Sequence, residues 1–354
     1  MKAKRTVGLA AAALVSAMLF GCGANEQPAE TEAAQTEAAA EEADAEGAAE
    51  AEGGDAAESD WPSGNVTLYV PAGAGGGSDM IARLFAQTMN KVTGSNFVII
   101  NDETGAGAVA AETVRNSEPD GLTFYFPHTG FCGTISAGQY DHSFDDFTIV
   151  GLCTTEGAEG NGLFVNADSP FQTFEEFVDY AKEHPDELVG GVETNKAGHN
   201  ALLLLQNEVG FSTTIVDSGS SADRITSLMG GMVDFSTLPT ATAAAYVESG
   251  DLRCLVTLGS LKSEALPDVP TIEECGFSPC DLPTCMILCG PLGMSDADVA
   301  KINEYLEEAS KDQELQDGLT KLGAAWEYKT QQESIDYVHE MQERFDTAYE
   351  LQNR

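Results

Sequence analysis

Beyond position 60, short hydrophobic runs alternate with stretches whose apolar residues recur every three or four positions. Val66–Val70 is rich in β-forming residues, residues 71–79 are rich in glycine, and residues 80–89 carry a helical pattern. Because strands repeat with a period of two and helices with a period of 3.6, this pattern predicts a strand, a loop and a helix.

A second unit of the same kind follows. It consists of a predicted strand at 97–100, a loop of small residues at 104–108 and a helix at 109–116. A turn at Pro119-Asp120-Gly121 then leads to a strand at 123–126. Further units are predicted at 162–165, 174–182, 201–208, 213–216, 222–229, 241–248 and 254–258, and the last sixty residues are mainly helical. Strands that alternate with helices indicate mostly parallel sheets covered on both faces, an α/β fold.

The first sixty residues have a different composition. Three basic residues precede an apolar run at 7–20, which is too short to span a bilayer and is typical of a secretion signal. The run ends in Leu-Phe-Gly-Cys, and this motif resembles a bacterial lipobox. We therefore predict a lipoprotein signal peptide at 1–21 and a lipidated Cys22 that anchors the protein to the outer face of the cell membrane, or to the periplasmic side. Ordinary secretion with Cys22 discarded is the alternative.

Residues 22–60 are predicted to be a disordered acidic Ala/Glu tether. After Cys22 this segment contains no aromatic residue and no lysine to pair with its acids, so it cannot bury enough apolar surface to become ordered. The whole chain has 17 basic and 58 acidic residues, a net charge of −41, of which −31 falls after residue 60. Such a charge excludes nucleic acid as a partner, because binding a phosphate backbone requires a basic face.

The two glycine-rich loops are candidates for holding an anion. Neither contains G-x-G-x-x-G or a P-loop motif, which disfavours a nucleotide. Glycines let the backbone approach a ligand closely, and the unpaired N–H groups of a helix beginning near Ser78 carry partial positive charge. Two such loops side by side would form a cradle for a carboxylate or phosphate. The alternative is that the glycines only form tight turns.

Several motifs occur in the order and spacing of one family. The chain resembles the substrate-binding proteins of tripartite tricarboxylate transporters, the Bug family of extracytoplasmic solute receptors, over about residues 64–348. The motifs that carry the resemblance are residues 70–83, Asn101 with Gly105-Ala106-Gly107, Pro119-Asp120-Gly121, Gly230-Gly231-Met232-Val233-Asp234, residues 249–253 and residues 265–271.

The resemblance implies a two-domain clamshell of the periplasmic-binding-protein type (type II-like) with two crossover strands. We predict that domain 1 comprises residues 61–165 plus 286–354 and domain 2 residues 166–285. The resemblance further implies that a small organic acid is held between the domains and delivered to two integral membrane transporter subunits. No cofactor is expected, and we expect a monomer. A sensor partner that presents its ligand to a membrane receptor or kinase is the alternative function.

The resemblance also places the ligand contacts. A brace or cap role is favoured for the acidic residue of the first loop, since a carboxylate repels a bound anion. For the two second-domain residues, capping of a helix or a surface position is the alternative. The predicted ligand-binding residues are Ala72, Gly73, Gly75, Gly76, Gly77, Ser78 and Asp79 in the first loop, Gly105, Ala106 and Gly107 in the second, and His199 and Ser220 in domain 2.

Three departures from the family pattern bear on the ligand. Ala72-Gly73 replaces the usual Phe-Pro, Asp102-Glu103 replaces Arg-Pro, and Asp217-Ser218 replaces Tyr-Lys. Each change removes bulk or positive charge. The sequence therefore predicts a ligand other than a simple dicarboxylate, and a monocarboxylate, an aromatic acid or a ligand with an amino group is compatible.

The cysteines and histidines show no recognised motif of a metal site or a catalytic site. The cysteines after Cys22 lack C-x-x-C pairs, and the chain contains no H-E-x-x-H or G-x-S-x-G motif, so no enzyme is predicted. Buried thiols, one or two disulfides and a metal site all stay open for these residues, and their odd number leaves at least one thiol free. They are Cys132, Cys153, Cys254, Cys275, Cys280, Cys285 and Cys289.

Overall fold

The structure is a computed structural model that describes residues 59–155, 160–194 and 196–353. Cys22, the predicted signal peptide and nearly all of the predicted tether lie outside the described residues. Within the part described, no helix is both long enough and apolar enough to cross a membrane.

Strands and helices alternate along the chain, as the sequence predicts. The strands are β1 (Val66–Val70), β2 (Phe97–Asn101), β3 (Thr123–Tyr125), β4 (Phe147–Leu152), β5 (Asn161–Asn166), β6 (Val189–Val192), β7 (Thr214–Asp217), β8 (Phe235–Pro239), β9 (Leu252–Thr257) and β10 (Ile287–Pro291). The helices are α1 (Gly77–Thr93), α2 (Ala108–Arg115), α3 (Phe131–Ser136), α4 (Phe174–Glu183), α5 (Ala197–Val209), α6 (Ser221–Met229), α7 (Thr240–Glu248), α8 (Asp296–Ser310), α9 (Gln313–Lys321) and α10 (Gln331–Gln352).

The strands form two five-stranded sheets, one in each lobe. The first has the order β2-β1-β3-β10-β4 and the second the order β7-β6-β8-β5-β9. In the first sheet β10 is antiparallel to both of its neighbours, and in the second sheet β5 is. The other pairs are parallel, so four strands of each sheet point the same way. This arrangement confirms the predicted α/β class, and each sheet is mixed, with two parallel and two antiparallel pairs.

Each lobe has its own hydrophobic core. In the first lobe, Leu68 on β1 and Phe85 on α1 are buried together with Leu306 on α8. In the second lobe, Phe177 on α4 packs edge-on against Phe235 on β8. The Phe235 ring occupies the space where a side chain at Gly190 would lie, so glycine on β6 permits this packing.

Two crossover segments connect the lobes. One follows β4 and enters β5, and the other spans residues 258–286 between β9 and β10. Two backbone hydrogen bonds join these segments. The N–H of Cys153 donates to the carbonyl of Met286 at 2.8 Å, and the N–H of Leu258 donates to the carbonyl of Asn161 at 2.8 Å. The predicted pair of crossover connections is therefore present.

The last helix contributes to both lobes. Val338 and Met341 on α10 are buried in a first-lobe cluster, whereas Ala348, further along the same helix, is buried in the second-lobe core. The domain boundaries drawn from the sequence stay predictions, and they assign the whole of α10 to domain 1.

Candidate functional site

The first glycine-rich loop connects β1 to α1 at the carboxyl edge of the first sheet. Gly76 is the N-cap of α1, and no side chain caps the helix. The first N–H groups of a helix have no acceptor within it, so the amides of Gly77 and Ser78 are available to a ligand. Gly75, Gly76 and Gly77 are exposed, and Ser78 is half-buried.

Other amides of this loop are already used. The N–H of Ala72 donates to the carbonyl of Val70 at 2.8 Å, and that of Gly76 donates to the carbonyl of Gly73 at 3.1 Å. The N–H of Gly75 donates to a carboxylate oxygen of Asp79 at 2.8 Å. These three predicted contact residues therefore shape the loop through their backbone donors.

The carboxylate of Asp79 stabilises the first glycine-rich loop. Its side chain is only 1% exposed and also accepts hydrogen bonds from Nε of Arg83 at 2.8 Å and Nδ2 of Asn101 at 2.9 Å. The hydrogen bond from Arg83 is the main reason that the pKa of Asp79 falls to about 2. The carboxylate is thus ionised and committed to three donors, which is the brace role favoured from the sequence.

The second loop is held in a left-handed conformation. Gly105, Ala106 and Gly107 have φ values of 61°, 54° and 92°. Positive φ is strained for a residue with a Cβ such as Ala106, and such strain is often found at binding sites. Gly107 is the buried N-cap of α2 and supplies no capping side chain, and the N–H of Ala108 donates to the carbonyls of Thr104 and Gly105.

The two loops are in contact. A Cβ added to Gly107 would lie 2.7 Å from Cβ of Pro71 and 2.7 Å from the hydroxyl of Tyr125. A Cβ added to Gly73 would lie 3.3 Å from Oε2 of Glu103, next to the second loop. The absence of side chains at these glycines lets the beginning of the first loop lie against the second loop, with the Glu103 carboxylate beside Gly73.

The predicted second-lobe residues lie at the carboxyl edge of the other sheet. His199 is half-buried in the first turn of α5, and burial lowers its pKa, which favours the neutral ring. Ser220 is the N-cap of α6 and forms a reciprocal capping box with Asp223. The side chain of Ser220 therefore caps α6, which was the alternative prediction for this residue.

Residues that follow β3 in the first lobe and β8 in the second contact the crossover segments. After β3, the hydroxyl of Thr129 donates to the carbonyl of Pro283 at 2.6 Å. After β8, the N–H of Thr240 donates to the carbonyl of Gly160 at 2.9 Å. A cavity of about 330 Å³ lies at this junction, and its lining includes Ala197 at the start of α5 but neither glycine-rich loop.

Sequence reasoning missed two residues near these edges. His128, just after β3, accepts a hydrogen bond at Nδ1 from the N–H of Gly130 at 2.9 Å, and burial lowers its pKa. Arg224 on α6 is only 4% exposed. Ile225 and Leu228 on the same helix are buried too. The position of Arg224 beside these apolar residues of the predicted helix could therefore have indicated that it is buried.

All seven cysteines in the described part of the chain are free thiols, six of them buried and Cys275 half-buried. Burial raises the pKa of Cys132 and of Cys280 to about 12, so both stay protonated. Within the described ranges, no group of three or more His, Cys, Asp or Glu residues is placed to hold a metal ion.

Comparison with known proteins identifies the family. Residues 81–351 match the tripartite tricarboxylate transporter family receptor. A protein of Agrobacterium vitis, the UPF0065 protein in the TAR-I ttuE-ttuC' intergenic region, is 28% identical over 271 residues, which cover 75% of this chain and 77% of the relative.

Solved structures share the fold. A TctC solute binding protein from Polaromonas, solved without ligand, has a TM-score of 0.72 and 23% identity, and the match covers 83% of this chain and 99% of that one. Rpa4515 of R. palustris, solved with adipate, has a TM-score of 0.54 and 26% identity, with 83% and 98% covered.

These matches confirm both the resemblance and the two-domain fold of the periplasmic-binding type. The family is one of transporter receptors, which confirms the prediction that the chain is not an enzyme. The chain belongs to the tripartite tricarboxylate transporter receptor family, and it is a solute-binding protein of the periplasmic-binding class.

Proposed function

We propose that this protein captures a small organic acid between its two lobes and delivers it to two integral membrane transporter subunits. One carboxylate of the acid is held by the two glycine-rich loops, chiefly by backbone N–H groups at Gly77, Ser78, Gly105 and Ala106. The second lobe closes over the acid with the start of α5, including His199, and the start of α6. Each protein molecule binds one ligand as a monomer.

The contact between the two loops carries this proposal. The first loop, which leads into α1, lies against the second loop, which leads into α2, and the carboxylate of Asp79 is turned into the first loop and paired with Arg83. Such a site favours an anion without needing a basic side chain. The adipate in the structure of Rpa4515 supports a carboxylic acid as the ligand class.

Isothermal titration calorimetry of the purified protein tests the proposal. We expect at least one acid from a panel of acetate, benzoate, succinate, adipate, citrate and glutamate to bind with a stoichiometry of one, whereas the corresponding neutral amides bind at least tenfold more weakly. This tenfold difference in affinity is what the loss of at least one charge-assisted hydrogen bond is expected to cause. Equal affinity for acids and amides would contradict an anion cradle.

We further propose that Cys22 is lipidated and holds the protein at the outer face of the cell membrane. Two or more acyl chains on one cysteine give essentially permanent anchoring, because each buried methylene contributes about 0.8 kcal/mol. In cell fractionation, the wild-type protein is expected in the membrane fraction. The Cys22→Ser variant is expected to carry no lipid and to be missing from that fraction. Wild-type protein with an unmodified N-terminus beyond Cys22 would refute the anchor.

A further inference from the structure

Strand β9 is an edge strand of the second sheet, and one side of it pairs with β5. Among the described residues, the other side forms a single bridge, at Thr257. The N–H of Thr257 donates to the carbonyl of Pro270 at 2.9 Å, and its carbonyl accepts from the N–H of Ile272 at 2.8 Å. The rest of this side has no strand beside it. The backbone groups of such an edge can pair with an extended segment of another chain.

A groove of about 760 Å³ follows the open side of β9. Cys254 and Leu255 both line it, although Leu255 is buried in the core that contains α4 and Cys254 in the cluster that contains α6. A groove that borders residues from both faces of a sheet runs along the edge of the strand. Two of the sequence motifs, residues 249–253 and 265–271, contribute to its lining, and neither supplies a predicted ligand contact.

The walls of the groove are apolar. Phe174 and Val178 on α4 are buried, and Val269 and Phe277 on the opposite wall are half-buried. Alternate side chains of an added strand point towards the same face, so every second residue of a docked segment could pack against these apolar groups.

The rim of the groove is acidic. Glu175, Asp179 and Asp268 are exposed, and within the part of the chain that the structure describes they form no hydrogen bond or ion pair through their carboxylates. One basic residue of the lining, Arg253, is already occupied, because its guanidinium donates to two backbone carbonyls. The other is Lys182. Carboxylates therefore outnumber the available cations.

This charge decides which segment fits. Residues 23–58 of this chain are acidic and contain no lysine or arginine, so repulsion opposes their docking here. A second copy would bring two acidic rims together, each on a chain whose charge after residue 60 is −31. The groove instead favours an extended segment of a different protein, in which apolar residues alternate with lysine or arginine.

We propose that this groove docks an extended basic segment of one transporter subunit, which adds to β9 as a further strand. Its apolar side chains pack against α4, and its basic side chains face the acidic rim. The inference rests on the proposed function, because delivery of the acid supplies the partner.

Uptake by cells separates docking from acid binding. Cells that contain the transporter subunits but lack this protein receive the wild type or Asp179→Lys/Asp268→Lys. The uptake of radiolabelled acid is then measured, with the acid that binds most tightly in the calorimetric panel. We expect the double variant to bind this acid within about twofold of the wild type. Its uptake should be about fivefold slower or more, because the rim then repels a basic segment.

The matched control is Glu183→Lys/Glu248→Lys. It makes the same change in charge at exposed residues of α4 and α7, in the same lobe, that do not line the groove. It should restore wild-type uptake.

Cys275 reports occupancy of the groove directly. It lines the groove and is half-buried, whereas the other six cysteines in the described ranges are buried. Membrane vesicles that contain the subunits should slow its alkylation by N-ethylmaleimide about threefold or more, relative to vesicles without them. Asp179→Lys/Asp268→Lys should lose this protection, and Cys275→Ser identifies the alkylated site.

The outcomes separate the two proposals. If the wild type does not raise uptake above that of cells without it, the proposed delivery is wrong. If it does, but the charge-reversed variant is equally active or Cys275 is not protected, the function stands and the groove is not the docking site. Should the lysine variant lose acid binding, Asp179→Asn/Asp268→Asn removes the same charges with a smaller change. Slower uptake with that variant supports the groove, and unchanged uptake overturns it.

Discussion

Asp79→Asn is expected to lower the free energy of unfolding by about 2–3 kcal/mol and to weaken organic-acid binding at least tenfold, because the hydrogen bonds that it disrupts are made to a charged group. Asparagine retains one acceptor oxygen but turns the other into an NH₂ donor. Asp79 accepts from Gly75 and Arg83 at one carboxylate oxygen and from Asn101 at the other. Either orientation of the amide therefore places a donor against a donor and releases the first loop.

The same substitution should change the acid stability of the protein. The pKa of Asp79 is about 2 in the folded protein, below its ordinary value of 3.8. Its contribution is therefore present above about pH 4 and is lost as the pH falls towards 2. Urea unfolding between pH 2 and pH 6 should show a shallower acid loss in Asp79→Asn than in the wild type.

A matched control is Asp317→Asn, which makes the same change at an exposed carboxylate that accepts a hydrogen bond from Gln313. It should alter stability by less than about 0.5 kcal/mol and leave binding unchanged. If Asp79→Asn were as mild as Asp317→Asn, the brace would not be what holds the loop.

Gly107→Ala is expected to disrupt binding more than Asp79→Asn does, with a loss of about 2–5 kcal/mol in the free energy of unfolding and no measurable acid binding. The added Cβ would meet Pro71 and the hydroxyl of Tyr125, each at 2.7 Å, and the φ of 92° is itself unfavourable for alanine. Backbone strain of about 1–2 kcal/mol adds to an overpacking cost of about 1–3 kcal/mol. Relief of the clash must move the two loops apart.

Gly94→Ala separates these two causes. Gly94 ends α1 with a φ of 72°, and a Cβ added there would meet nothing within 4 Å. The free energy of unfolding of this variant should fall only by the cost of backbone strain, about 1–2 kcal/mol, and the variant should bind acids like the wild type. Urea unfolding and calorimetry measure both variants. Similar losses of stability and binding in the two would show that the contact between the loops is unimportant.

Elements with a strong local pattern were predictable from the sequence. Val66–Val70 was predicted with the bounds that β1 has, because alternate residues of this strand are buried. β6 was missed, since Gly190 and Gly191 give it little β-propensity. Its strand conformation is imposed by β7 and β8 on either side, and by the Phe235 ring that takes the place of a side chain at Gly190.

In the candidate site, too, some residue roles could be inferred from the local sequence and others could not. The brace role of Asp79 could be inferred locally, because an acid beside an anion cradle requires a donor of its own. The partners of Arg224 could not, since Thr237 and Gly198 belong to β8 and α5, which only the folded second lobe brings to α6. An isolated arginine in an acidic chain is otherwise read as a solvated surface residue.

The most direct test of the central claim is a crystal structure of the protein with the acid that binds most tightly. The account predicts one carboxylate within hydrogen-bonding distance of backbone N–H groups in both glycine-rich loops, at Gly77 or Ser78 and at Gly105 or Ala106, with the rest of the acid between the lobes. An acid bound away from these loops, or held there by side chains alone, would contradict it.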